Sequence, residues 1–256
     1  MNTARHTVIE GDAALRPVTK RRQPASVLPA ANPAGIFIPK IISRPKEARE
    51  GFKIGIFAGI HGGEEAGTLA VFELTRWAET DPGELYDFEL HLYPVCNPSG
   101  FLTGDRNSRS GLDLNREFWS GSNEPEIVYL ENELVREAYD VIVSLHADHD
   151  SEGVYGFVSG ALLSAEVLEP ALEAASAFLP RNEWPTIDGF ASERGIIKEG
   201  YSGVLSAPPE QRPRALEVVF ETPALAPMEQ QVLATVAAVK AILASYRELQ
   251  AYAANL

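Results

Sequence analysis

Short apolar runs typical of β-strands alternate along the chain with longer segments whose apolar residues recur at helical spacing. Strands are predicted at residues 35–43, 52–60, 88–95, 140–146, 154–158 and 215–221. Helices are predicted at residues 64–79, 126–138, 164–178 and 224–256. This alternation is typical of a mixed, mostly parallel twisted sheet covered by helices. We therefore expect an α/β fold with three layers, α/β/α, in a single domain.

Composition supports one domain and narrows its class. The chain has 256 residues, of which 45% are hydrophobic, and this is enough for a core on both faces of a sheet. Residues 1–30 are polar and interrupted by prolines, so we expect a flexible leader before a single domain at residues 31–256. Neither a signal peptide nor a membrane span is predicted. Cys96 is the only cysteine, which excludes an intramolecular disulfide and favours a cytoplasmic location.

The charge balance excludes one class of partner. The net charge is -14, from 22 basic and 36 acidic residues. Proteins that bind nucleic acid need basic surface to displace counterions from phosphates. We therefore expect no nucleic-acid partner.

A histidine and a glutamate follow the second predicted strand, with two glycines between them. His61 and Glu64 can reach one divalent ion, because the glycines allow a tight backbone turn. His146 ends the strand at residues 140–146, and functional groups gather at the carboxyl ends of parallel strands. Two imidazoles and one carboxylate would leave a fourth position for water, as in a catalytic zinc site.

Other interpretations of the histidines stay open at this point. His146 alone could also be a histidine of the core. His149 is a competing ligand, although it lies beyond the strand in a predicted loop. His91 alternates outward on its strand and is predicted to be solvated.

The loop at residues 97–118 brings three arginines together in an acidic protein. Arg106, Arg109 and Arg116 would attract and fix an anionic group, and a substrate carboxylate is the natural candidate. A salt-bridged loop is the alternative interpretation.

Together with the candidate ligands, this loop resembles the zinc carboxypeptidase family of the M14 type. The shared motifs occur in the family's order, and the resemblance extends from about residue 52 to residue 223. The motifs of the loop are Asn97-Pro98-Ser99-Gly100, then Arg106, then Gly111-Leu112-Asp113-Leu114-Asn115-Arg116. The resemblance implies a zinc carboxypeptidase-like catalytic domain in which His61, Glu64 and His146 hold one Zn²⁺.

The resemblance also implies roles for residues of the loop. Arg116 and Asn115 would bind the terminal carboxylate of a peptide. Arg106 would polarise the scissile carbonyl and stabilise its oxyanion. Asp113 would hydrogen-bond a ligand histidine and so fix the orientation of His61. Arg109 matches no position of the family and is interpreted as a solvated or structural charge.

The strand at residues 215–221 supplies a candidate general base. Glu221 lies at its end, where the family carries its catalytic glutamate, and a glutamate beside metal-bound water can take its proton. Glu217 shares the same face of the strand and is the fallback. Tyr201 lies in a glycine-rich stretch upstream and resembles the mobile tyrosine that related carboxypeptidases bring over the substrate.

These residues predict a zinc-dependent metallocarboxypeptidase or amidase whose substrate is a small peptide or N-acyl amino acid with a free carboxylate. The related succinylglutamate desuccinylase/aspartoacylase group shares the ligands and Asp-x-Asn-Arg-x-Phe, so an N-acyl amino acid deacylase is the alternative. The spacing from Arg106 to Asp113 and the helical end of the chain favour the carboxypeptidase. A zinc-binding protein without turnover is the alternative from another class, but it would have no need of Glu221. Side-chain specificity, including a murein peptide as substrate, and the oligomeric state stay open.

Overall fold

A computed structural model describes residues 26–28, 36–44 and 51–253. Within these residues the strands form one mixed sheet in the order β1-β2-β4-β3-β5-β10-β6-β9-β8-β7. The strands are β1 (Ser26–Leu28), β2 (Lys40–Ser43), β3 (Phe52–Ala58), β4 (Phe88–Tyr93), β5 (Val141–Asp148), β6 (Tyr155–Phe157), β7 (Thr186–Ile187), β8 (Phe190–Glu193), β9 (Ile196–Ile197) and β10 (Leu216–Pro223). The four central strands β4, β3, β5 and β10 are parallel to one another. Most pairs towards the two edges are antiparallel, so the parallel part of the predicted mixed sheet is its centre.

Helices cover both faces of the sheet. They are α1 (Glu65–Thr80), α2 (Pro98–Thr103), α3 (Pro125–Glu137), α4 (Ala161–Leu163), α5 (Glu169–Ala175) and α6 (Met228–Ala253). The π-helical segment Ser164–Leu168 joins α4 to α5. On one face the core contains residues of α1, α5 and α6, and on the other it contains residues of α3. The predicted three-layer α/β/α arrangement is therefore confirmed.

The central strands have side chains in both cores. In β5, Val143 faces the core of α1 and α6, whereas its neighbour Ile142 faces the core of α3. In β3, Ile56 and Phe57 divide in the same way. Parallel strands buried on both faces have continuous apolar sequences, and this explains why these two strands were readily predicted.

Several elements begin or end at residues other than those predicted. The strand predicted at residues 35–43 is β2, which begins only at Lys40, directly after Pro39. Proline has no N–H to donate to a sheet, and this explains the later start. The last helix begins at Met228, directly after Pro227, rather than at residue 224. Strand β1 lies within the residues predicted to be a leader, and the rest of the leader lies outside the described residues. None of the described helices has both the length and the apolar character that crossing a membrane requires.

The prediction that His91 is solvated is wrong. Its side chain is fully buried between β4 and the layer of α3. Its Nδ1 lies 3.0 Å from the hydroxyl of Tyr139, and its Nε2 lies 2.5 Å from Oε1 of Glu89. The alternating residues of β4 face two cores, one on each side of the sheet, and so the side that the alternation assigns to solvent is buried.

Candidate metal centre and active-site cavity

Three parallel strands bring the predicted site residues to one edge of the sheet. Strands β3 and β5 are neighbours, and β5 also pairs with β10. His61 follows β3, while His146 in β5 lies directly opposite Glu221 in β10 in the register of the sheet. The convergence expected at the carboxyl ends of parallel strands is therefore present.

The turn between β3 and α1 places His61 and Glu64. Gly62 donates its N–H to the carbonyl oxygen of Asp105 at 2.9 Å, so this turn packs directly on the arginine-containing loop. A Cβ at position 62 would lie 2.0 Å from the carbonyl carbon of Gly100, which leaves no room for any other residue. Glu64 then precedes the first residue of α1.

The carboxylate of Glu64 lies between the two imidazoles. His61 Nδ1 is 2.6 Å from Oε1 of Glu64, and His146 Nδ1 is 2.9 Å from Oε2. All three side chains are buried, and one ligand atom from each lies within 4.8 Å of the others. They are the group that could hold a metal ion within the described part of the chain.

The distal nitrogen of each imidazole also has a partner. His61 Nε2 lies 3.0 Å from Oδ1 of Asp113. His146 Nε2 lies 3.1 Å from the hydroxyl of Ser144, which can accept a hydrogen bond from a protonated Nε2. Metal-bound histidines commonly have their second nitrogen held in this way. The donor set, two imidazole nitrogens and one carboxylate, fits a catalytic zinc ion.

The charged groups of the cluster shift the pKa values of one another. Burial alone would raise the pKa of Glu64, but the two adjacent histidines outweigh it and lower this pKa to about 2. Burial would also raise the pKa of Asp113, yet His61 and Arg106 hold it well below its usual value. For His61, Asp113 and Glu64 outweigh burial and raise the pKa. The cluster thus keeps its carboxylates ionised.

The environment of Glu221 shifts its pKa in the opposite direction. Burial raises its pKa to about 8; His146 opposes this shift, and the nearby carboxylates of Glu64, Asp148 and Asp188 add to it. A carboxyl group with a raised pKa in a cleft is typical of acid–base groups. The fallback residue, Glu217, accepts a hydrogen bond from the backbone of Ala207 and is not among the residues that line the cavity.

The predicted anion-binding residues lie on the wall beside the metal centre. Arg106 donates to Asp113 Oδ2 at 3.0 Å and lies 3.7 Å from Glu64. Asn115 accepts a hydrogen bond from the backbone of Leu205 through Oδ1, which turns its amide nitrogen towards His146. Arg116 donates to the carbonyl oxygen of Asn115 at 2.7 Å.

Two further residues named in the sequence analysis line the cavity, and a third does not. Tyr201 lines the cavity, and the centre of its ring is 4.1 Å from the guanidinium carbon of Arg116. His149 also lines the cavity, although its side chain is exposed beyond the end of β5. Arg109 is exposed and is not part of the lining, in agreement with its interpretation as a solvated charge.

Most of these groups line one cavity of about 360 Å³. The predicted residues in its lining are His61, Glu64, Arg106, Asn115, Arg116, His146, Tyr201 and Glu221. Asp113 lies behind His61, outside the lining.

Some residues that line the cavity or contact its histidines are not predicted from the sequence. Asp148, Asp150, Asp188 and the buried Tyr155 also line the cavity, and Ser144 contacts His146 from behind. Ser144 was detectable, because it lies two residues before His146 and so shares its face of the strand. Asp188 was detectable as the first residue of Asp-Gly, a strong hairpin signal. Nothing in the linear sequence connects that hairpin with the metal ligands.

Sequence comparison identifies a family model that matches this chain. The model of the succinylglutamate desuccinylase/aspartoacylase catalytic domain matches residues 50–184, which is more than half of the chain. The matched segment contains the three candidate ligands, whereas Tyr201 and Glu221 lie beyond it. Carboxypeptidase SOL1 of Arabidopsis thaliana is 28% identical over 118 residues, which are 42% of this chain and 24% of that protein. The match therefore spans about a quarter of the length of that relative.

Solved structures share the fold at low sequence identity. A candidate metallopeptidase from Shewanella denitrificans has 22% identity and a TM-score of 0.73, with 92% of this chain and 89% of that chain covered. A metallo-carboxypeptidase from Burkholderia cenocepacia has 21% identity and a TM-score of 0.68, over 94% of this chain and 69% of that one. A succinylglutamate desuccinylase from Silicibacter has 16% identity and a TM-score of 0.56, over 86% and 65% of the two chains.

These similarities confirm the resemblance stated from the sequence, both to carboxypeptidases and to the desuccinylase group. The family model matches more than half of the chain, and this assigns the chain to its family. The chain belongs to the succinylglutamate desuccinylase/aspartoacylase catalytic-domain family.

Proposed function

We propose that the protein is a zinc-dependent hydrolase that cleaves an amide bond next to a free carboxylate. One observation carries this proposal. Three candidate metal ligands, a carboxyl group with a raised pKa and two arginines line the same cavity of about 360 Å³. Neither a metal-storage site nor a simple anion-binding site needs all of these groups together.

The ligands His61, Glu64 and His146 would hold one zinc ion. Bound zinc would supply Lewis-acid chemistry, which lowers the pKa of a coordinated water molecule and polarises a carbonyl group. A cation at these ligands would also lower the pKa of Glu221, because a nearby positive charge favours the carboxylate form. Glu221 then serves as the base that accepts a proton from water and passes it to the leaving amine.

The two arginines of the cavity have separate proposed roles in binding the substrate. Arg106, which lies within 3.7 Å of Glu64, is close enough to the ligands to stabilise negative charge that develops on the scissile carbonyl oxygen. Arg116 and Asn115 lie next along the same wall and would bind the free carboxylate of the substrate. Binding that carboxylate fixes how far the scissile amide lies from the metal.

The substrate class has two candidates. The fold shared with metallo-carboxypeptidases favours a small peptide that is cleaved at its carboxyl end. The match to the desuccinylase/aspartoacylase model favours an N-acyl amino acid. Both substrates place a free carboxylate close to the amide bond, so both fit the same arrangement of Arg116, Arg106 and ligands. The single, buried Cys96 is compatible with the cytoplasmic location that we also propose.

A hydrolysis panel tests the proposed function. The zinc-loaded protein is given peptides with a free carboxyl end, the same peptides amidated, and N-acyl amino acids, with and without chelator. Glu221→Gln should lower hydrolysis by about 10²-fold or more and leave zinc bound, since it removes the base but no ligand. Glu217→Gln is the matched control, because it makes the same change on the same strand outside the cavity.

The results separate the alternatives. Preference for peptides over N-acyl amino acids selects the carboxypeptidase, and the reverse selects the deacylase. Wild-type activity in Glu221→Gln would refute the assignment of the base. Bound zinc without chelator-sensitive hydrolysis of any panel member would instead indicate a protein that binds zinc without turnover.

A further inference from the structure

Arg116 lies at the cavity with its positive charge unpaired. It forms no ion pair with any of the described residues, although three aspartates line the same cavity. One N–H donates to the carbonyl oxygen of Asn115, and the side chain is exposed. Arg106 differs, because it is paired with Asp113 at 3.0 Å. A long, exposed side chain without an ionic partner needs another support to keep one orientation.

The ring of Tyr201 provides that support. The guanidinium carbon of Arg116 lies 4.1 Å from the ring centre, a distance suited to a cation–π contact. The ring of Tyr201 also packs on two aromatic residues, edge-on against Phe190 at 4.8 Å and more distantly on Phe157 at 6.5 Å. The guanidinium therefore rests on a surface that is itself packed in place.

The hydroxyl of Tyr201 also forms a hydrogen bond. It donates to the backbone carbonyl oxygen of Asp188 at 2.9 Å. Asp188 and Gly189 form the two-residue turn between β7 and β8, in which Ile187 pairs with Phe190. Both turn residues have positive φ, 53° and 82°, as Asp-Gly permits in a tight hairpin. The turn fixes the direction of the Asp188 carbonyl, and this holds the far end of the tyrosine.

We propose that Tyr201 is a positioning residue that orients Arg116 for the substrate carboxylate, and that the β7–β8 hairpin is its support. This inference rests on the proposed function. It differs from the expectation that Tyr201 closes over the substrate, because its hydroxyl is held by the hairpin and its ring by Arg116 and Phe190. The guanidinium contact belongs to the ring, so the aromatic face is the essential part of the side chain.

Binding measurements test this role without relying on turnover. The probes are N-acetyl-alanyl-alanine and its carboxyl-terminal amide, titrated into zinc-loaded Glu221→Gln protein by calorimetry. In this background Tyr201→Leu should weaken binding of the acid by about 3- to 30-fold, the range of a cation–π contact, and leave binding of the amide unchanged. Tyr201→Phe keeps the ring and should lose about threefold or less, since only one partly exposed hydrogen bond is removed. Thermal unfolding confirms that each variant is folded.

A double-mutant cycle isolates the contact with Arg116. If Tyr201 acts through Arg116, Tyr201→Leu should cause no further loss once Arg116→Ala is present. An undiminished loss in that background would overturn the inference, as would a Tyr201→Phe variant that binds as weakly as Tyr201→Leu. If Glu221→Gln protein binds acid and amide equally, the carboxylate site of the proposed function fails, and this inference fails with it. If it prefers the acid and Tyr201→Leu keeps the same ratio of acid to amide affinity, only the inference fails.

Discussion

At the scale of single residues, the arrangement around Glu64 indicates a metal site more strongly than any one of its contacts. A buried carboxylate shared by two buried imidazoles is costly to desolvate, and replacing such a group with apolar residues is often neutral or stabilising. Each imidazole directs Nδ1 at Glu64 and has a separate partner at Nε2. This division of the two nitrogens suits histidines whose Nδ1 atoms bind a cation.

Ser144 should matter for zinc affinity although it is not a ligand. When Nδ1 of His146 binds metal, Nε2 carries the proton and can donate to the Ser144 hydroxyl, which lies at 3.1 Å. Ser144→Ala should weaken zinc binding by about tenfold, the lower end of the effect of losing such a partner, as measured by competition with a chromophoric chelator. Ser144→Thr keeps the hydroxyl and should restore most of the affinity.

A second serine provides the control for that experiment. Ser164 is also buried, but its hydroxyl donates to the carbonyl oxygen of Gly160, and the residue is not part of the cavity that contains the metal ligands. Ser164→Ala should therefore leave zinc affinity at the wild-type value. Equal zinc affinities of Ser144→Ala and wild type would show that the orientation of His146 is set by other groups.

At the scale of elements, strand ends and one tight turn determine where the ligands lie. The long, strongly patterned elements β3, β5, α1 and α6 could be predicted from sequence, because burial on two faces or a helical stripe leaves a clear signature. Strands β7, β8 and β9 could not, because segments of two to four residues carry too little pattern. His61, Glu64 and the arginines are predicted by local sequence patterns, and His146 is predicted by its place at the end of a strand. The contact of Tyr201 with Arg116 is visible only in the structure, since it depends on the direction of one backbone carbonyl.

The turn at Gly62 should be intolerant of any side chain. A Cβ there would lie 2.0 Å from the Gly100 carbonyl carbon and 2.5 Å from the Asp105 carbonyl oxygen, so the ligand turn and the arginine loop would have to separate. Gly62→Ala should lower the free energy of unfolding by about 3 kcal/mol, as overpacking does, and should also weaken zinc binding. Urea unfolding and chelator competition measure the two effects.

Gly83 is the matched control for this substitution. A Cβ at this position would meet no heavy atom within 4 Å, and its φ is not in the left-handed region. Gly83→Ala should leave both the free energy of unfolding and zinc affinity near the wild-type values. If Gly62→Ala behaves in the same way, the packing of the ligand turn on the arginine loop is not essential to the site.

At the scale of the whole molecule, charged side chains of both signs line the cavity. Arg106 and Arg116 line it together with the three aspartates Asp148, Asp150 and Asp188. The whole chain adds to this negative field with its net charge of -14. Because Arg116 is proposed to hold the carboxylate of the substrate, the aspartates and the negative net charge favour a cationic side chain over an anionic one on the same substrate.

Substrates with a cationic side chain should therefore be preferred over those with an anionic one. Among panel substrates that differ only in the residue bearing the free carboxylate, kcat/KM for lysine should exceed that for glutamate by about tenfold at low salt. The difference should shrink as ionic strength rises, since salt screens exposed charges. Asp188→Asn removes one charge while keeping a residue that tolerates positive φ, so the hairpin and its contact with Tyr201 should persist while the preference falls. Asp81→Asn, an equal change of net charge at an exposed position outside the cavity, should leave the preference intact, so that an identical fall in both variants would assign the effect to the overall charge rather than to the cavity.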